Sequence, residues 1–340
     1  MDVSETSENK KIVIAGAGSV GCFVGGVIAA NGGDVRFLAR SRIASMLLTH
    51  GLTVSDLYDM RARIAADSLK LSTDPAILGD ADIILVTVKS DATLGIAEQI
   101  KRHAPQGALI ISLQNGVQNT RALREALQGF DIRAGVVPFN VITTGDGRFH
   151  RGVAGRIVVE AGMPSIAGTL TTPSLSFVET QAIADIQWGK LLINLNNALN
   201  ALSNLPLRTQ LHDREWRRLF SDLMVEGLSV LKLAGIKARS PFSTPFPIFA
   251  AILKLPTPLY KTVAGSRLRI DPEARSSMWE DLQRGRKTEI GELQGAVLEL
   301  GKEFDVATPV NARVFELIRE FEARSGEVPK MTPAEIRDGI

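Results

Sequence analysis

The sequence predicts an α/β domain built on a largely parallel sheet, followed by an all-helical domain. In the first half, short apolar runs rich in β-branched residues alternate with helix-like segments, a pattern typical of βαβ units. A glycine-rich turn follows the first of these runs. Beyond about residue 180 the pattern becomes helical. A chain of 340 residues has room for two such domains.

The first half contains most of the predicted strands. Ala81–Val88 and Ala108–Leu113 are almost entirely apolar, as expected for strands that a parallel sheet buries on both faces. In chain order, the predicted elements are strand Lys11–Ala15, helix Ser19–Ala30, strand Asp34–Leu38, strand Ala81–Val88, helix Thr93–Lys101, and strands Ala108–Leu113, Ile132–Val137 and Arg156–Glu160.

The second half is predicted to be helical, with one proline-rich interruption. Five of the 15 prolines lie between Ser240 and Pro258, so this stretch is expected to be a loop with short helical pieces, serving as a lid or a dimer arm. The predicted helices are Ile186–Ser203, Arg214–Leu233, Ser277–Gln283, Thr288–Phe304 and Asn311–Ala323. We therefore expect a disordered tail over residues 1–10, a nucleotide-binding domain over 11–180 and a helical substrate-binding and catalytic domain over 181–340.

Composition excludes several classes of function. A net charge of +2 gives no support to nucleic-acid binding. A single cysteine, Cys22, rules out an internal disulfide, and four scattered histidines show no metal-binding spacing, so no metal is expected. The N-terminus has no targeting signal, and no apolar run reaches the length of a membrane span, which favours a cytoplasmic protein. The oligomeric state stays open, with a homodimer as one option.

Residues Gly16 to Gly21 form a GxGxxG motif between a predicted strand and a predicted helix. Gly16 allows the tight turn, Gly18 lets backbone N–H groups approach a pyrophosphate, and Gly21 lets the helix pack against the strand. The helix N-terminus also favours an anion. The motif predicts a Rossmann-type dinucleotide site, the alternative being a turn that only packs helix on strand. The remaining loop residues of this predicted site are Ala17, Ser19 and Val20.

The end of the second predicted strand favours NADP(H) over NAD(H). An NAD site usually has an acid there for the ribose 2′-hydroxyl. Here Arg40 and Arg42 follow the strand, whereas Asp34 lies at its start. A guanidinium suits a 2′-phosphate because it is always charged and binds phosphate with two hydrogen bonds. The alternative is a pair of solvated arginines at a helix start. Whether Arg42 joins Arg40 at the phosphate stays open.

A polar stripe runs along an otherwise apolar helix in the second half. At roughly 100° per residue, Asn194 and Asn197 lie about 40° and −20° from Lys190. A lysine and two carboxamides would be costly to bury among leucines, so the stripe fits the wall of a wet cleft. Burial would lower the lysine pKa towards a range useful for proton donation. The alternative is a surface helix with Lys190 in solvent.

Two further polar residues admit structural explanations. Ser277 and Glu280 have the spacing of a capping box, so Ser277 is expected to cap a helix, a role compatible with ligand binding. Glu289 has the position of an acid at a helix start, where the helix dipole favours negative charge. From spacing alone, Glu289 carries no functional assignment.

Taken together, these motifs resemble the ketopantoate reductase family (2-dehydropantoate 2-reductase) from about Lys11 to Ala323. The residues that carry the resemblance are the glycine loop, Arg40, Val88-Lys89, Gln114-Asn115-Gly116, Trp188-x-Lys190-Leu191-x-x-Asn194, Ser276-Ser277-Met278 and Thr288-Glu289. The resemblance implies a Rossmann domain, a helical domain, NADPH as cofactor and a 2-oxo acid as the small-molecule substrate. It also implies reduction of ketopantoate to pantoate in pantothenate biosynthesis.

The resemblance implies roles for individual residues. Lys190 matches the general acid and Glu289 the acid that supports it. Lys89 matches a lysine at the cofactor cleft. The other matches are Asn115, near both nicotinamide and substrate, and Asn194 and Ser277 at substrate positions. Together these roles imply a ternary complex in a cleft between the domains.

The sequence departs from the family pattern on the substrate side. Ala198 stands where some members have a second substrate asparagine, and Asn197 is the nearest substitute. The stretch from Lys190 to Ser277 is also longer than in compact members. Two alternatives therefore stay open, an NADPH-dependent reductase of a different 2-oxo or 3-oxo acid and a non-catalytic NADP-sensing protein.

Overall fold

The computed structural model describes residues 10–241, 244–264, 273–324 and 327–340. The tail predicted over residues 1–10 therefore lies, except for Lys10, outside the described residues. The chain divides into two compact units, which meet in the sequence between Ile183 and Ala184. The first combines strands and helices, whereas the described part of the second is helical, so the predicted fold class is confirmed.

The first unit is built on an eight-stranded sheet and a smaller four-stranded sheet. The strands are β1 (Lys11–Ala15), β2 (Asp34–Leu38), β3 (Leu52–Asp56), β4 (Arg61–Ile64), β5 (Lys70–Ser72), β6 (Ile83–Val86), β7 (Leu109–Ser112), β8 (Asp131–Val136), β9 (Val141–Thr143), β10 (Arg148–Arg151), β11 (Ile157–Glu160) and β12 (Phe177–Thr180). The helices are α1 (Ser19–Ala30), α2 (Ser41–His50), α3 (Thr93–His103), α4 (Gln118–Ala126) and α5 (Ala167–Leu170).

The large sheet has the order β12-β11-β8-β7-β6-β1-β2-β5. All its neighbouring strands run parallel except β8 and β11. Chain order therefore reverses on either side of β1, with β2 on one flank and β6 on the other. Such a reversal opens a crevice outside the carboxyl ends of the strands, which is where α/β sheets bind ligands.

The small sheet, with the order β4-β3-β10-β9, was not predicted from the sequence. It packs on α1, and α1 packs on the large sheet. Two adjacent glycines make both contacts close. A Cβ on Gly25 would lie 2.6 Å from atoms of Ile14 and Phe37 of the large sheet, and one on Gly26 would lie 2.7 Å from Val54 of the small sheet. Residues from both sheets and from α1 share one buried core.

The second unit contains the remaining helices. They are α6 (Ile183–Asn194), α7 (Asn196–Ser203), α8 (Leu207–His212), α9 (Arg214–Leu233), α10 (Phe246–Leu253), α11 (Thr257–Ala264), α12 (Ser277–Gln283), α13 (Ala296–Glu303), α14 (Pro309–Ala323) and α15 (Pro333–Arg337). The helix predicted over Ile186–Ser203 is divided at Leu195. The helix predicted over Thr288–Phe304 begins later than expected, with a π-helical turn at Gly291–Gly295 before α13.

The proline-rich stretch contains α10 and the start of α11, which agree with the short helical pieces predicted there, and its residues 242 and 243 lie outside the described part of the chain. A guanidinium inside the unit holds both helices. Arg217 of α9 is fully buried, and its nitrogens donate to the carbonyl oxygens of Leu253 at 3.1 Å and Leu255 at 2.8 Å. They also donate to two carbonyls at the end of α8, and the guanidinium carbon lies 4.0 Å from the ring centroid of Tyr260. The stretch is thereby tied to the centre of the helical unit.

The described residues contain neither a candidate membrane span nor a candidate metal cluster. No described helix is at once long enough and apolar enough to cross a membrane. Within the same part of the chain, no group of three or more His, Cys, Asp or Glu residues could hold a metal ion.

Candidate active site

The glycine loop turns sharply at the carboxyl end of β1. Gly16 has φ +107°, and a Cβ there would lie 2.6 Å from Cγ1 of Val88, so only glycine fits. The Thr87 hydroxyl donates to the Gly16 carbonyl at 2.6 Å. A Cβ on Gly21 would lie 2.5 Å from both of these oxygens. The loop therefore packs closely against the end of β6, in agreement with the tight turn predicted at Gly16 and the close packing predicted at Gly21.

Gly18 faces open space instead. A Cβ there would have no described atom within 4 Å beyond its chain neighbours, and Gly18 is exposed. It is also the N-cap of α1, and no side chain caps the helix there. The first turn thus offers backbone N–H groups and the positive end of the helix dipole to an anion that approaches over Gly18. These features fit the pyrophosphate of a dinucleotide.

The second strand places its charged residues at opposite ends. Asp34 opens β2, where its carboxylate accepts a hydrogen bond from Lys70 at 2.7 Å. Arg40 follows the carboxyl end of β2 and is the N-cap of α2, with Arg42 two residues later. Both arginines are exposed. No acid occupies the position that would bind a ribose 2′-hydroxyl.

Lys89 and Asn115 follow the carboxyl ends of β6 and β7. Lys89 is exposed, whereas Asn115 is partly buried and is followed by Gly116 with φ +82°. Because β7, β6, β1 and β2 are neighbours in that order, the loops after them lie side by side along one edge of the sheet. The structure thus brings together all the residues of the first unit that were predicted to bind cofactor or substrate.

A buried hydrogen-bond network behind this edge was not predicted. Thr93, Asn119 and Gln114 are 3%, 4% and 8% exposed. The Gln114 amide donates to Thr93 at 2.7 Å and to the Val88 carbonyl at 3.2 Å, and the Thr93 hydroxyl donates to Asn119 at 2.8 Å. Of these three residues, the sequence analysis singled out only Gln114, as part of the Gln114-Asn115-Gly116 motif. The others lie on separate helices, and no local pattern signals that they meet.

In the helical unit, Lys190 lies on α6, Asn194 ends α6, and Asn197 lies on α7. All three are partly exposed, whereas Asn196, Ala198 and Asn200 are buried. The pattern of exposure therefore matches the predicted stripe. The burial of Ala198 also shows that the position eight residues after Lys190 does not line an open surface.

The two buried asparagines stabilise the fold. The Asn200 side chain donates to the Leu205 carbonyl at 2.8 Å and accepts from the Ser276 N–H at 2.8 Å. Asn196 and Asn200 both lie within hydrogen-bonding distance of the Gln210 amide. Four asparagines in seven residues thus divide into a partly exposed pair, Asn194 and Asn197, and a buried structural pair.

Burial lowers the pKa of Lys190 to about 8, and the negative charge of Glu289 opposes that shift. Part of the residue surface is still accessible to solvent. An ammonium group with this pKa is charged at neutral pH and releases a proton more readily than an ordinary lysine. The lysine and the acid predicted to support it therefore interact within the helical unit.

Glu289 lies just before the π-helical turn, in a segment held by α14. The Thr288 N–H and hydroxyl donate to Glu322 at 2.7 and 2.6 Å. The turn itself shows the wide π-helical bond, from Gly295 N–H to the Ile290 carbonyl at 3.0 Å. Such turns are frequent at functional sites. Glu322 was missed by the sequence analysis, since it lies 34 residues from Thr288.

Glu292 lies within the π-helical turn and carries an unusual charge state. Burial and the negative charges of Glu289 and Glu299 raise its pKa to about 7. One of its carboxyl oxygens, Oε2, is buried without a hydrogen-bond partner among the described residues. At neutral pH the carboxyl beside Glu289 is therefore about half protonated, whereas an ordinary glutamate is fully ionised.

The capping box predicted at Ser277 is wrong. Ser276 is the N-cap of α12, and its hydroxyl accepts from the Trp279 N–H at 3.1 Å. Ser276 is buried because its backbone and hydroxyl are bonded to Asn200 and Asn197 of α7. Ser277 is the first residue of the helix and is exposed. Its side chain is therefore available for a ligand instead of serving as a cap.

Comparison with known protein families gives matches over both units. The family described as Ketopantoate reductase PanE/ApbA matches residues 12–163, and Ketopantoate reductase PanE/ApbA C terminal matches residues 182–322. A 2-dehydropantoate 2-reductase from Halobacterium salinarum is 26% identical over 318 residues, which cover 91% of this chain and 98% of the relative.

Solved structures give the same result for the fold. The PanE/ApbA family ketopantoate reductase from Ralstonia eutropha JMP134 superimposes with a TM-score of 0.80 at 26% identity, covering 93% of this chain and all of that one. A ternary structure of D-mandelate dehydrogenase with NADH and anilino(oxo)acetate has a TM-score of 0.76 at 19% identity, covering 93% of this chain and 100% of that chain. At that identity the second likeness concerns the fold alone.

Proposed function

Because this chain belongs to the ketopantoate reductase family, we propose that it reduces the C2 ketone of 2-dehydropantoate to the alcohol of pantoate. The family is one of oxidoreductases acting on CH–OH groups, and its members use NADPH. The observation that carries the proposal is the partly buried Lys190, with a pKa of about 8 and Glu289 acting on it. An acid of this kind suits protonation of a ketone oxygen.

The first unit binds the cofactor. Backbone N–H groups at the start of α1 bind the pyrophosphate over Gly18, and Arg40 pairs with the 2′-phosphate. Lys89 and Asn115, at the ends of β6 and β7, approach the nicotinamide side. When bound, NADPH supplies the hydride that reduces the ketone carbon.

The second unit supplies the proton. Negative charge grows on the ketone oxygen as its carbon is reduced, and the Lys190 ammonium stabilises that charge before transferring a proton from Nζ. General acid catalysis of this kind is worth roughly 10²- to 10⁴-fold in rate. Glu289 favours the charged form of Lys190 and so helps to keep this general acid protonated. Asn115, Asn194, Asn197 and Ser277 form hydrogen bonds with the carboxylate and hydroxyl groups of the substrate.

An NADPH-dependent reductase of another 2-oxo acid is the competing proposal. It is favoured by one observation, the burial of Ala198, which leaves Asn194 and Asn197 as the carboxamides of the stripe that reach solvent. An aromatic 2-oxo acid serves as the comparison substrate. In either case we place the protein in the cytoplasm, and for 2-dehydropantoate the reaction belongs to pantothenate biosynthesis.

The test is NADPH oxidation, followed by absorbance, with 2-dehydropantoate, benzoylformate and a 3-oxo acid, each repeated with NADH. Rapid turnover of 2-dehydropantoate with NADPH is the expected result. Preference for benzoylformate would favour the competing proposal. NADPH binding without turnover of any substrate would instead indicate a sensor. The mass in solution, measured in parallel, would distinguish a 36.7 kDa monomer from the homodimer that we propose as the assembly.

A further inference from the structure

Asn119, on α4, uses both polar atoms of its side chain in buried hydrogen bonds. Its Nδ2 donates to the Asn115 carbonyl at 2.7 Å and to the Ser90 hydroxyl at 2.9 Å. Its Oδ1 accepts from the Thr93 hydroxyl at 2.8 Å. Because the Asn115 carbonyl can only accept, the amide nitrogen must face it, so the network defines the orientation of Asn119.

These bonds join two loops that are far apart in the sequence. Ser90 and Thr93 belong to the segment after β6, which begins with Lys89. Asn115 belongs to the segment after β7. Asn119 lies 29 residues from Ser90 and 26 from Thr93. One side chain thus links the two segments predicted to border the nicotinamide.

A second amide reinforces the link. Gln114, directly before Asn115, donates to the Thr93 hydroxyl at 2.7 Å and to the Val88 carbonyl at 3.2 Å. The Ser112 hydroxyl donates to the Gln114 side-chain oxygen at 3.1 Å. Networks of satisfied buried amides and hydroxyls are rigid, since moving any member leaves another polar group unpaired.

We propose that Asn119 is a positioning residue for the reaction, which holds the Asn115 and Lys89 segments at a fixed spacing along the sheet edge. This inference rests on the proposed function, because it requires that Asn115 contact substrate or nicotinamide. Asn119 itself is buried and contacts neither. Its effect on turnover passes through Asn115.

Removing the side chain should loosen both segments. In Asn119→Ala, the Asn115 carbonyl, the Ser90 hydroxyl and the Thr93 hydroxyl each lose one hydrogen bond. A misplacement of about 1 Å of a substrate-positioning group costs up to roughly 10²-fold in rate, so we expect kcat to fall about 10- to 100-fold. Thr120 offers a matched control, because it is equally buried on the same helix and has no side-chain hydrogen bond within the described residues. Thr120→Val should leave kcat within about twofold.

A double-mutant cycle separates positioning from general destabilisation. The constant kcat is compared at saturating NADPH, so that an effect of the Lys89 segment on cofactor binding does not enter. The four proteins are the wild type, Asn119→Ala, Asn115→Ala and the double variant, all well below their melting temperatures. If Asn119 acts through Asn115, its removal changes kcat by less than about twofold once Asn115 is already alanine. Losses that multiply in the double variant would overturn the proposal. Should Asn119→Ala fail to fold, Asn119→Asp replaces it, since aspartate keeps the oxygen that accepts from Thr93 and lacks both donors.

Hydrogen exchange of the free protein tests the link without any assay of activity. We expect faster amide exchange in Asn119→Ala at residues 88–92 and 114–118, and unchanged exchange there in Thr120→Val. Unchanged exchange at both segments in Asn119→Ala would overturn the proposal. Faster exchange in an enzyme that turns over no 2-oxo acid would leave the link established and refute the proposed function instead.

Discussion

The carboxylate of Glu289 favours the charged form of Lys190, yet burial outweighs it, and the pKa of Lys190 lies at about 8. Two opposing effects thus determine the charge of one side chain in the helical unit. Turnover should therefore depend on pH. A general acid must carry its proton, so kcat should be high at neutral pH and fall as the pH rises through about 8.

Glu289→Gln tests that balance. Removing the negative charge leaves burial unopposed, so the pKa of Lys190 should fall and the alkaline decline of kcat should move to lower pH. The measurement is kcat for NADPH oxidation between about pH 6 and 10. An unmoved decline would mean that another group, and not Lys190, limits the rate at high pH.

Lys190→Ala should remove the acid while leaving the nucleotide site intact. We expect kcat to fall by roughly 10²- to 10⁴-fold. The Kd for NADPH, measured by fluorescence, should change little, because the glycine loop and Arg40 belong to the first unit. Lys237→Ala, an exposed lysine of the same unit, is the control. Near-normal turnover in Lys190→Ala would refute the assignment.

Arg40→Gln should weaken NADPH binding selectively. A hydrogen bond to a charged group is worth about 1.5–3 kcal/mol, so the KM for NADPH should rise roughly 10- to 100-fold while the KM for NADH is unaffected. Arg42→Gln, two residues later, shows whether the second arginine shares the phosphate. Equal losses for both nucleotides in Arg40→Gln would contradict a role at the 2′-phosphate.

Arg217→Met should destabilise the protein severely. The substitution leaves the carbonyl oxygens at the ends of α8 and α10 without their buried donor, at a total cost of about 3–5 kcal/mol. Its neighbour Arg218 is exposed and pairs only with Glu215 at 3.3 Å within the described residues. Arg218→Met should change the free energy of unfolding by less than about 0.5 kcal/mol. Urea unfolding compares the two, and similar losses would show that Arg217 has no special role.

Glu292→Gln should stabilise the protein at high pH. The folded state raises the pKa of Glu292 to about 7, from the usual 4.5, so wild-type stability falls between these pH values as the unfolded carboxyl ionises first. Glutamine does not ionise. The variant should therefore gain on the order of 1 kcal/mol relative to wild type at pH 8 and nothing at pH 4, after allowance for solvent screening. Urea unfolding at both pH values measures this, and an equal gain at both would exclude the titration of Glu292 as its cause.

The sequence by itself determined those features that depend on short-range pattern. Strand, turn and helix around Gly16 to Gly21 were predictable because the glycines have steric roles at fixed offsets. The two ends of β2 could also be identified from the sequence. That was enough to place Asp34 at the start of the strand and Arg40 after its carboxyl end. The stripe formed by Lys190, Asn194 and Asn197 follows from helical periodicity. Leu195, at the break between α6 and α7, keeps helical backbone angles, so the three residues stay on one face.

Only the tertiary structure decided which hydrogen-bond partner each polar residue has, because residues of the same type look equivalent in the sequence. The sequence pattern of a capping residue does not distinguish two adjacent serines. Ser276 is the cap because it also forms two hydrogen bonds with α7. The short helical pieces predicted in the proline-rich stretch are held in place by Arg217, which lies 36 residues before Leu253 and satisfies carbonyl groups there. Asn119 likewise gained its role from segments that meet only once the sheet is assembled. Buried polar groups must find partners, and those partners are brought near by the whole fold instead of by the neighbouring sequence.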